Sequence, residues 1–264
     1  MTTASFSSLS LIPALLQSVE SLSYTHMTAI QQQSLPAMLA GKDVLAKAKT
    51  GSGKTAAFSL ALLSKIDPLV YKPQALVLCP TRELAEQVSK EIRALARFMP
   101  NVKLLTLCGG SPIIHQINSL EQAPHIVVGT PGRVLDHLNR DTLYVDYLKV
   151  LVLDEADRML DMGFEEDIHK IIKKTPPKRQ SLLFSATYPD AIQGMSQRVL
   201  QSPVVVSVES EDDYNQIEQH FIEAAYSDKA IAVMKILAHY RPESTVIFCN
   251  TKADCNELTE FLDS

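Results

Sequence analysis

The sequence has no excess of basic charge: 25 Lys and Arg stand against 30 Asp and Glu, a formal charge of −5. This excludes a general positive field, so a nucleic-acid partner would have to be held by local backbone donors and a few arginines. No apolar stretch approaches the roughly 20 residues that span a bilayer, and no membrane partner is expected. Met1 to Ser10 is uncharged, polar and small, so no signal peptide is expected. The four cysteines, Cys79, Cys108, Cys249 and Cys255, lack the paired spacing of a metal site, and three end or lie within apolar runs. They read as reduced core thiols of a cytoplasmic protein. The seven histidines have no ligand spacing and read as surface or packing residues. No internal repeat or low-complexity tract is present.

The 264 residues are 46% hydrophobic, enough for one large core. Short β-rich runs alternate with helical periodicity from residue 43 onward. The runs are Asp43–Ala46, Gln74–Cys79, Lys103–Cys108, His125–Gly129, Lys149–Leu153, Ser181–Ser185 and Pro203–Val208. Several are apolar at consecutive positions, the mark of a parallel sheet covered on both faces. Helical stretches such as Arg82–Phe98 and Phe164–Lys174 lie between them, which predicts an α/β fold with right-handed crossovers. Two further helices are expected before the first strand, over Leu11–Leu22 and Thr28–Leu39, with Thr28 as N-cap and Gly41 as C-terminal stop of the second.

Two stretches carry the chemistry. Ala48-Lys49-Thr50-Gly51-Ser52-Gly53-Lys54-Thr55 has the pattern of a phosphate cradle. Gly51 and Gly53 let backbone N–H groups turn inward, and the following helix adds its positive end. Lys54 would reach the β and γ phosphates and Thr55 would place its hydroxyl on Mg²⁺. The general pattern begins with Gly; Ala48 is tolerable only if its position does not need positive φ. The second stretch is Val150-Leu151-Val152-Leu153-Asp154-Glu155-Ala156-Asp157. It projects Asp154 from the C-terminal edge of the sheet, where such folds bind ligands. Asp154 would hold Mg²⁺ and Glu155 would orient or deprotonate the attacking water. Asp157 lies too far along to share the metal and could pair with Ser185 or Thr187 of the later Ser185-Ala186-Thr187. In the absence of ligand Lys54 is expected to be exposed, and by residue type alone Gln31 reads as an exposed helix position.

With Pro80-Thr81-Arg82-Glu83-Leu84-Ala85, Gly109-Gly110, Thr130-Pro131-Gly132-Arg133 and Val246-Ile247-Phe248-Cys249-Asn250-Thr251, the chain resembles the DEAD-box RNA helicases over nearly its whole length. The resemblance implies a RecA-like P-loop domain over residues 1–208, a linker over 209–217 and the beginning of a second RecA-like domain over 218–264. It implies an ATP-dependent, RNA-dependent hydrolase with ATP and Mg²⁺ as cofactors, acting as a monomer on RNA. Gln31 matches the adenine-reading glutamine, Tyr24 the aromatic that packs on the base, and Phe6 the upstream aromatic. Pro80, Thr81, Arg82, Gly109, Gly110, Thr130, Pro131, Gly132 and Arg133 match the RNA-backbone motifs, whose residue types suit phosphate and not base readout. Where the family has Gly at 23 and Pro at 27 and 29, this chain has Ser23, Met27 and Ala29. Similarity to members that act in ribosome assembly implies ribosomal RNA as target.

The acidic patch Glu209-Ser210-Glu211-Asp212-Asp213 reads as an interdomain linker. Beyond it, strands over Gln219–Ala224 and Thr245–Cys249 and helices over Ser227–His239 and Lys252–Leu262 are expected. Roughly 50 residues with two strands do not make a stable α/β domain, so this part reads as the start of a longer second domain. The family completes its site with arginines from the far part of that domain, and the chain alone is not expected to be helicase-competent. Two competing readings stay open: another kind of P-loop ATPase, and a non-catalytic nucleotide- or RNA-binding fragment.

Overall fold

The structure, a computed structural model, describes residues 4–208 and 218–263. The chain divides into two compact units, Met1–Glu211 and Asp212–Ser264. The expected linker over 209–217 lies outside the described residues.

The first unit is built on seven strands, β1 (Val44–Lys47), β2 (Ala75–Leu78), β3 (Leu104–Leu107), β4 (Ile126–Gly129), β5 (Val150–Leu153), β6 (Gln180–Ser185) and β7 (Val204–Ser207). They form one sheet in the order β3-β4-β2-β5-β6-β1-β7, and every pairing is parallel. The consecutive apolar runs follow from this architecture. Val150 and Val152 of β5 enter one core while Leu151 and Leu153 enter the other, and Ala75/Val77 and Leu76/Leu78 of β2 divide in the same way. A strand feeding two cores has no polar face to spare.

On one face the core is completed by α1 (Pro13–Ser21), α2 (Ala29–Leu39), α3 (Lys54–Leu63) and α4 (Arg82–Leu95). The other is closed by α6 (Pro131–Asn139), α7 (Ala156–Asp161), α8 (Glu165–Lys174) and α9 (Asp190–Val199), while α5 (Ile113–Leu120) follows β3. The start of α2 carries a capping box, in which Thr28 and Gln31 exchange bonds, and Gly41 at φ 81° takes the chain out of it. Ala29 is the first helical residue, the position where proline is also accepted. Ser23 stands at φ 58°, a left-handed conformation that suits the glycine of the family and strains a side chain.

The N-terminal edge of the sheet is tied by a buried carboxylate. Asp43, 6% exposed, accepts from Ser181 N–H at 2.8 Å and from Gln201 N–H at 2.7 Å. Its own carbonyl accepts from Val204 N–H at 2.8 Å. One residue thus joins the starts of β1 and β6 to the chain entering β7.

The second unit has α10 (Lys229–Tyr240) and α11 (Lys252–Asp263). The strands expected over 219–224 and 245–249 are not formed: neither segment pairs into a ladder. Phe221 and Phe248 are 94% and 92% exposed. Strands need lateral partners and a covered face to be stable, and these segments have neither among the described residues. All four cysteines are free thiols; Cys79 and Cys108 are buried, but Cys249 is only half-buried and Cys255 exposed, so core burial holds for two of the expected three.

Asp43→Ala is expected to destabilise the first unit by about 3 kcal/mol, because two backbone donors lose a charged acceptor inside the protein. Thermal denaturation should show a midpoint lower by roughly 6–12 °C. An unchanged midpoint would remove Asp43 from the account of the sheet.

Candidate nucleotide and RNA site

Because all strands are parallel, the loops leaving β1 to β6 meet at one edge. Each departing loop is spaced by a ladder bond that continues past the strand. Ala48 N–H donates to Ser185 O at 3.0 Å, Cys79 N–H to Gly129 O at 2.9 Å, Thr130 N–H to Leu107 O at 3.1 Å and Asp154 N–H to Leu78 O at 3.0 Å. The strand order separates the edge into two halves. The loops of β1, β6 and β5 bring together residues 48–55, 185–187 and 154–157, and those of β2, β4 and β3 bring together 80–82, 130–133 and 109–110.

In the first half the chain leaves β1 through Ala48, which is buried and not among the positive-φ residues, so the substitution for glycine costs nothing in backbone strain. Gly51 (φ 82°) and Gly53 (φ 95°) are left-handed, and Gly53 caps α3. The Ser52 hydroxyl donates to Lys49 O at 2.7 Å, which closes the turn. Thr55 follows in the first turn of α3, half-buried.

Lys54 differs from expectation. It is buried, 5% exposed, and its Nζ has no hydrogen-bond partner. Burying an ammonium group without acceptors is costly, and an anion with several oxygens is what this position requires. The counter-charge is Asp154, 3% exposed. Burial pushes the Asp154 carboxyl up to about 6, against the opposing pull of Lys54 and with a further push from Glu155. Moving from 3.8 to about 6 means that ionisation in place costs about 3 kcal/mol more than in water. A divalent cation beside this carboxylate would remove that cost. Among the described residues no group of three or more His, Cys, Asp or Glu could hold a metal. One carboxylate, a threonine hydroxyl and phosphate oxygens suit Mg²⁺, which keeps much of its water and takes few protein ligands.

Glu155 is held in a strained conformation, φ 51° and ψ 53°, as the N-cap of α7. Its carboxylate accepts from the Thr50 hydroxyl at 3.1 Å and pairs with Arg158 at 3.2 Å. The second motif is thereby fastened to the first. Arg158 was not singled out from the sequence, although its i,i+3 spacing from Glu155 was available. Asp157 turns the other way. Its Oδ2 accepts from Ala186 N–H at 3.1 Å, Thr187 N–H at 2.8 Å and the Thr187 hydroxyl at 2.9 Å. Burial would raise this carboxyl, but the hydrogen bonds from Thr187 and Arg158 outweigh it and hold it below the usual range. Both expected partners act on Asp157: Thr187 makes the direct bonds, and Ser185, whose hydroxyl donates to Thr187 O at 2.6 Å, adds a further lowering contribution.

Gln31 is buried, 4% exposed, not a solvated helix residue. Its Oε1 accepts from Thr28 N–H at 2.9 Å and its Nε2 donates to Gly53 O at 3.1 Å. A carboxamide has two donor hydrogens and two acceptor sites, so one of each remains. The packing is close: a Cβ at Gly53 would lie 2.6 Å from Gln31 Nε2. Tyr24 is half-buried. Phe6 is 3% exposed, in the core, its ring stacked on Tyr24 at 6.5 Å. Tyr24 therefore has the accessible ring, and Phe6 supports it from behind.

In the second half Pro80 leads from β2 into Thr81, which caps α4 by accepting from Leu84 N–H at 3.2 Å. Arg82 is exposed and paired with Glu86 at 2.9 Å. Thr130 caps α6, with Pro131 at its first position. Arg133 donates to Ser111 O at 3.2 Å and to Gln116 Oε1 at 3.1 Å. Gln116 Nε2 donates to Cys108 O at 2.9 Å, and Gln116 Oε1 lies 3.0 Å from His137 Nε2. Gln116 and His137 had no signal in the sequence. They form a buried network that fixes the Gly109-Gly110 turn against α6, and burial, reinforced by Arg133, holds the His137 imidazole below its usual range.

The sequence pattern of the DEAD/DEAH box helicase family matches residues 28–195. The ATP-dependent RNA helicase DbpA of Escherichia coli is 52% identical over 259 residues, which are 98% of this chain and 57% of that protein. The ATP-dependent RNA helicase CshA of Listeria monocytogenes is 44% identical over 259 residues, 98% of this chain and 50% of that one. The chain thus spans about half the length of the curated relatives it matches. Among solved structures, S. cerevisiae Dbp5 bound to RNA and ADP BeF3 has a TM-score of 0.83 at 29% identity, covering 98% of this chain and 66% of that one. A DEAD box protein from the hyperthermophile Methanococcus jannaschii has a TM-score of 0.74 at 35% identity, covering 98% and 70%.

Lys54→Ala is expected to abolish binding of a magnesium nucleotide, since it removes the one buried ammonium at the cradle. Calorimetric titration that found parental affinity in a folded variant would refute the assignment of this loop.

Proposed function

The chain belongs to the DEAD/DEAH box helicase family, and on that premise we propose that it carries the ATP-binding and RNA-binding edge of an ATP-dependent RNA helicase. The observation that carries the reading is the buried, unpartnered ammonium of Lys54 beside the carboxyl of Asp154.

Lys54 and the backbone of residues 48–53 bind the phosphates. Asp154 and Thr55 would hold Mg²⁺, which would supply neutralisation of the phosphate charge. Glu155, fixed by Thr50 and Arg158, orients the attacking water and accepts its proton. Phosphoryl transfer asks for in-line placement more than covalent help, and a carboxylate locked from two sides provides that placement. Asp157 with Ser185 and Thr187 couples the β5 loop to the β6 loop, so that movement at one is felt at the other. The adenine is read by the remaining donor and acceptor of Gln31 and packs on Tyr24.

The RNA backbone is held by Thr81, Arg82, Gly109, Gly110, Thr130, Gly132 and Arg133. Support comes from what the glycines do not do. A Cβ at Gly109 would meet nothing within 4 Å, and one at Gly132 would make only an ordinary contact at 3.6 Å. The packing of this chain does not demand glycine at either site, whereas close approach of a sugar-phosphate backbone does. Few base-edge readers are present, so binding is to single strands with little sequence preference. A ribosomal RNA target in large-subunit assembly, a monomeric state and a cytoplasmic setting belong to the same proposal; their support is the motif resemblance. No helix among the described residues is long and apolar enough to cross a membrane.

Adenine selectivity tests the reading. Gln31→Ala should weaken ATP and ADP by roughly 1–3 kcal/mol, the scale of a lost bidentate base contact, and leave GTP little changed. Equal affinities of the parent for ATP and GTP would sink the assignment.

A further inference from the structure

The edge of the sheet opposite Lys54 and Asp154 carries a second organised surface. There the chain between α3 and β2 is fixed by two buried polar side chains. Gln74, fully buried, donates through Nε2 to Asp67 O at 2.8 Å and Val70 O at 2.9 Å, and its Oε1 accepts from Asp67 N–H at 2.9 Å. His125, also fully buried, accepts at Nδ1 from Lys103 N–H at 3.1 Å. That bond assigns the hydrogen to Nε2, which lies 3.2 Å from Pro68 O and donates to it.

These latches hold exposed aromatic residues in fixed places. Tyr71 is 50% exposed and Tyr147, from the loop before β5, 56% exposed. Lys103 Nζ lies 5.7 Å from the Tyr71 ring centroid, Lys72 Nζ 5.3 Å from that of Tyr147, and the His125 ring packs against Tyr71 at 5.6 Å. Cation–π contacts by themselves are common on protein surfaces. Here two of them share one loop, and that loop is fastened by four side-chain hydrogen bonds from Gln74 and His125, while a fifth ties His125 to Lys103 N–H. The backbone beneath is equally tied, with His125 N–H on Lys103 O at 2.9 Å and Lys149 N–H on Gln74 O at 2.8 Å. Neither latch serves the nucleotide edge.

We propose that Tyr71 and Tyr147, with Lys72 and Lys103, form a second surface for single-stranded nucleic acid, separate from the Arg82 and Arg133 edge. The chemistry is that of sequence-tolerant single-strand binding: flat rings for bases to stack on and ammonium groups for the phosphates between them. Lysine next to each ring argues against a protein partner, since lysine is depleted in protein–protein interfaces that are rich in tyrosine. The nearby carboxylates do not reverse the sign of the patch. Asp67 is half-buried and accepts from Leu69 N–H at 3.0 Å, and Asp146 is a single exposed charge beside Tyr147. The strand bound here is a distal segment of a long RNA, because the sheet itself separates the two edges.

Photo-cross-linking of the full chain to a bromouridine-substituted oligonucleotide, with mapping of the modified peptides, tests this. Cross-links are expected on the peptides containing Tyr71 and Tyr147 as well as on those of the Arg82 and Arg133 edge. The Tyr71→Ala/Tyr147→Ala variant should lose the former, keep the latter and bind a long single strand about tenfold more weakly for each ring removed. Tryptophan at both positions should restore binding, which a purely structural role would not explain. Cross-links at the arginine edge with none at the tyrosines would overturn the second surface and leave the first standing. Cross-links at the tyrosines alone would do the reverse. Self-association of the chain that the alanine variant abolishes, without tyrosine cross-links, would assign the patch to protein contact and overturn the proposal.

Discussion

Seven strands running in one direction decide where polar chemistry can occur in this protein. The central strands β2 and β5 are apolar at every position because alternate side chains enter two different cores, and the polar residues of β6 and β1 stand at the strand ends. A charge cannot enter such a strand without being stranded in hydrocarbon. Polar residues are therefore confined to the ends, and the parallel direction gathers all departing loops at one edge. The order β3-β4-β2-β5-β6-β1 then sorts those loops into the half proposed for the nucleotide and the half proposed for RNA, with β5 and β2 at the junction. Asp154 N–H bonded to Leu78 O is a contact across that junction.

Within this frame the nucleotide half gathers several unfavourable features. The ammonium of Lys54 is buried without acceptors. The Asp154 carboxyl is driven up to about 6 by burial. Glu155 is left-handed without being glycine. Each costs stability in the isolated chain, and under the proposed function each would be relieved or used when a triphosphate and a divalent cation are bound. Features that break local rules are expected at functional sites, where the rest of the fold supplies the compensation. Asp43, Gln74 and His125 belong to that compensation, since they satisfy buried backbone groups at the opposite edge.

Most of this was legible in the sequence because its causes are local. Each strand of the first unit lies within one residue of the run that announced it, since a doubly covered strand must be continuously apolar. The cradle and the acidic motif were legible because glycine freedom, lysine and carboxylates at fixed spacing have few other uses together. What was not legible depends on distant partners. Gln116 and His137 meet across 21 residues of sequence, and Gln31 reaches Gly53 across 22; neither contact has a periodic or compositional trace. The burial of Lys54 was missed because spacing identifies a phosphate ligand but not how deeply the helix start is set. In the second unit the apolar run Val246–Cys249 predicted a strand that is not formed, because a strand exists only with a neighbour to pair with.

The central claim is that a buried carboxyl, partly opposed by a buried ammonium, awaits a cation. Carbon-13 carboxyl NMR of the aspartate-labelled chain, assigned with Asp154→Asn, measures it directly. In the nucleotide-free chain Asp154 should titrate near 6, above its unfolded value, so the folded state takes up a proton as pH falls through 6 and this group stabilises the fold more on the acidic side. With magnesium nucleotide bound, the carboxylate should stay ionised well below that pH. An Asp154 that titrates near 4 with and without nucleotide would contradict the account.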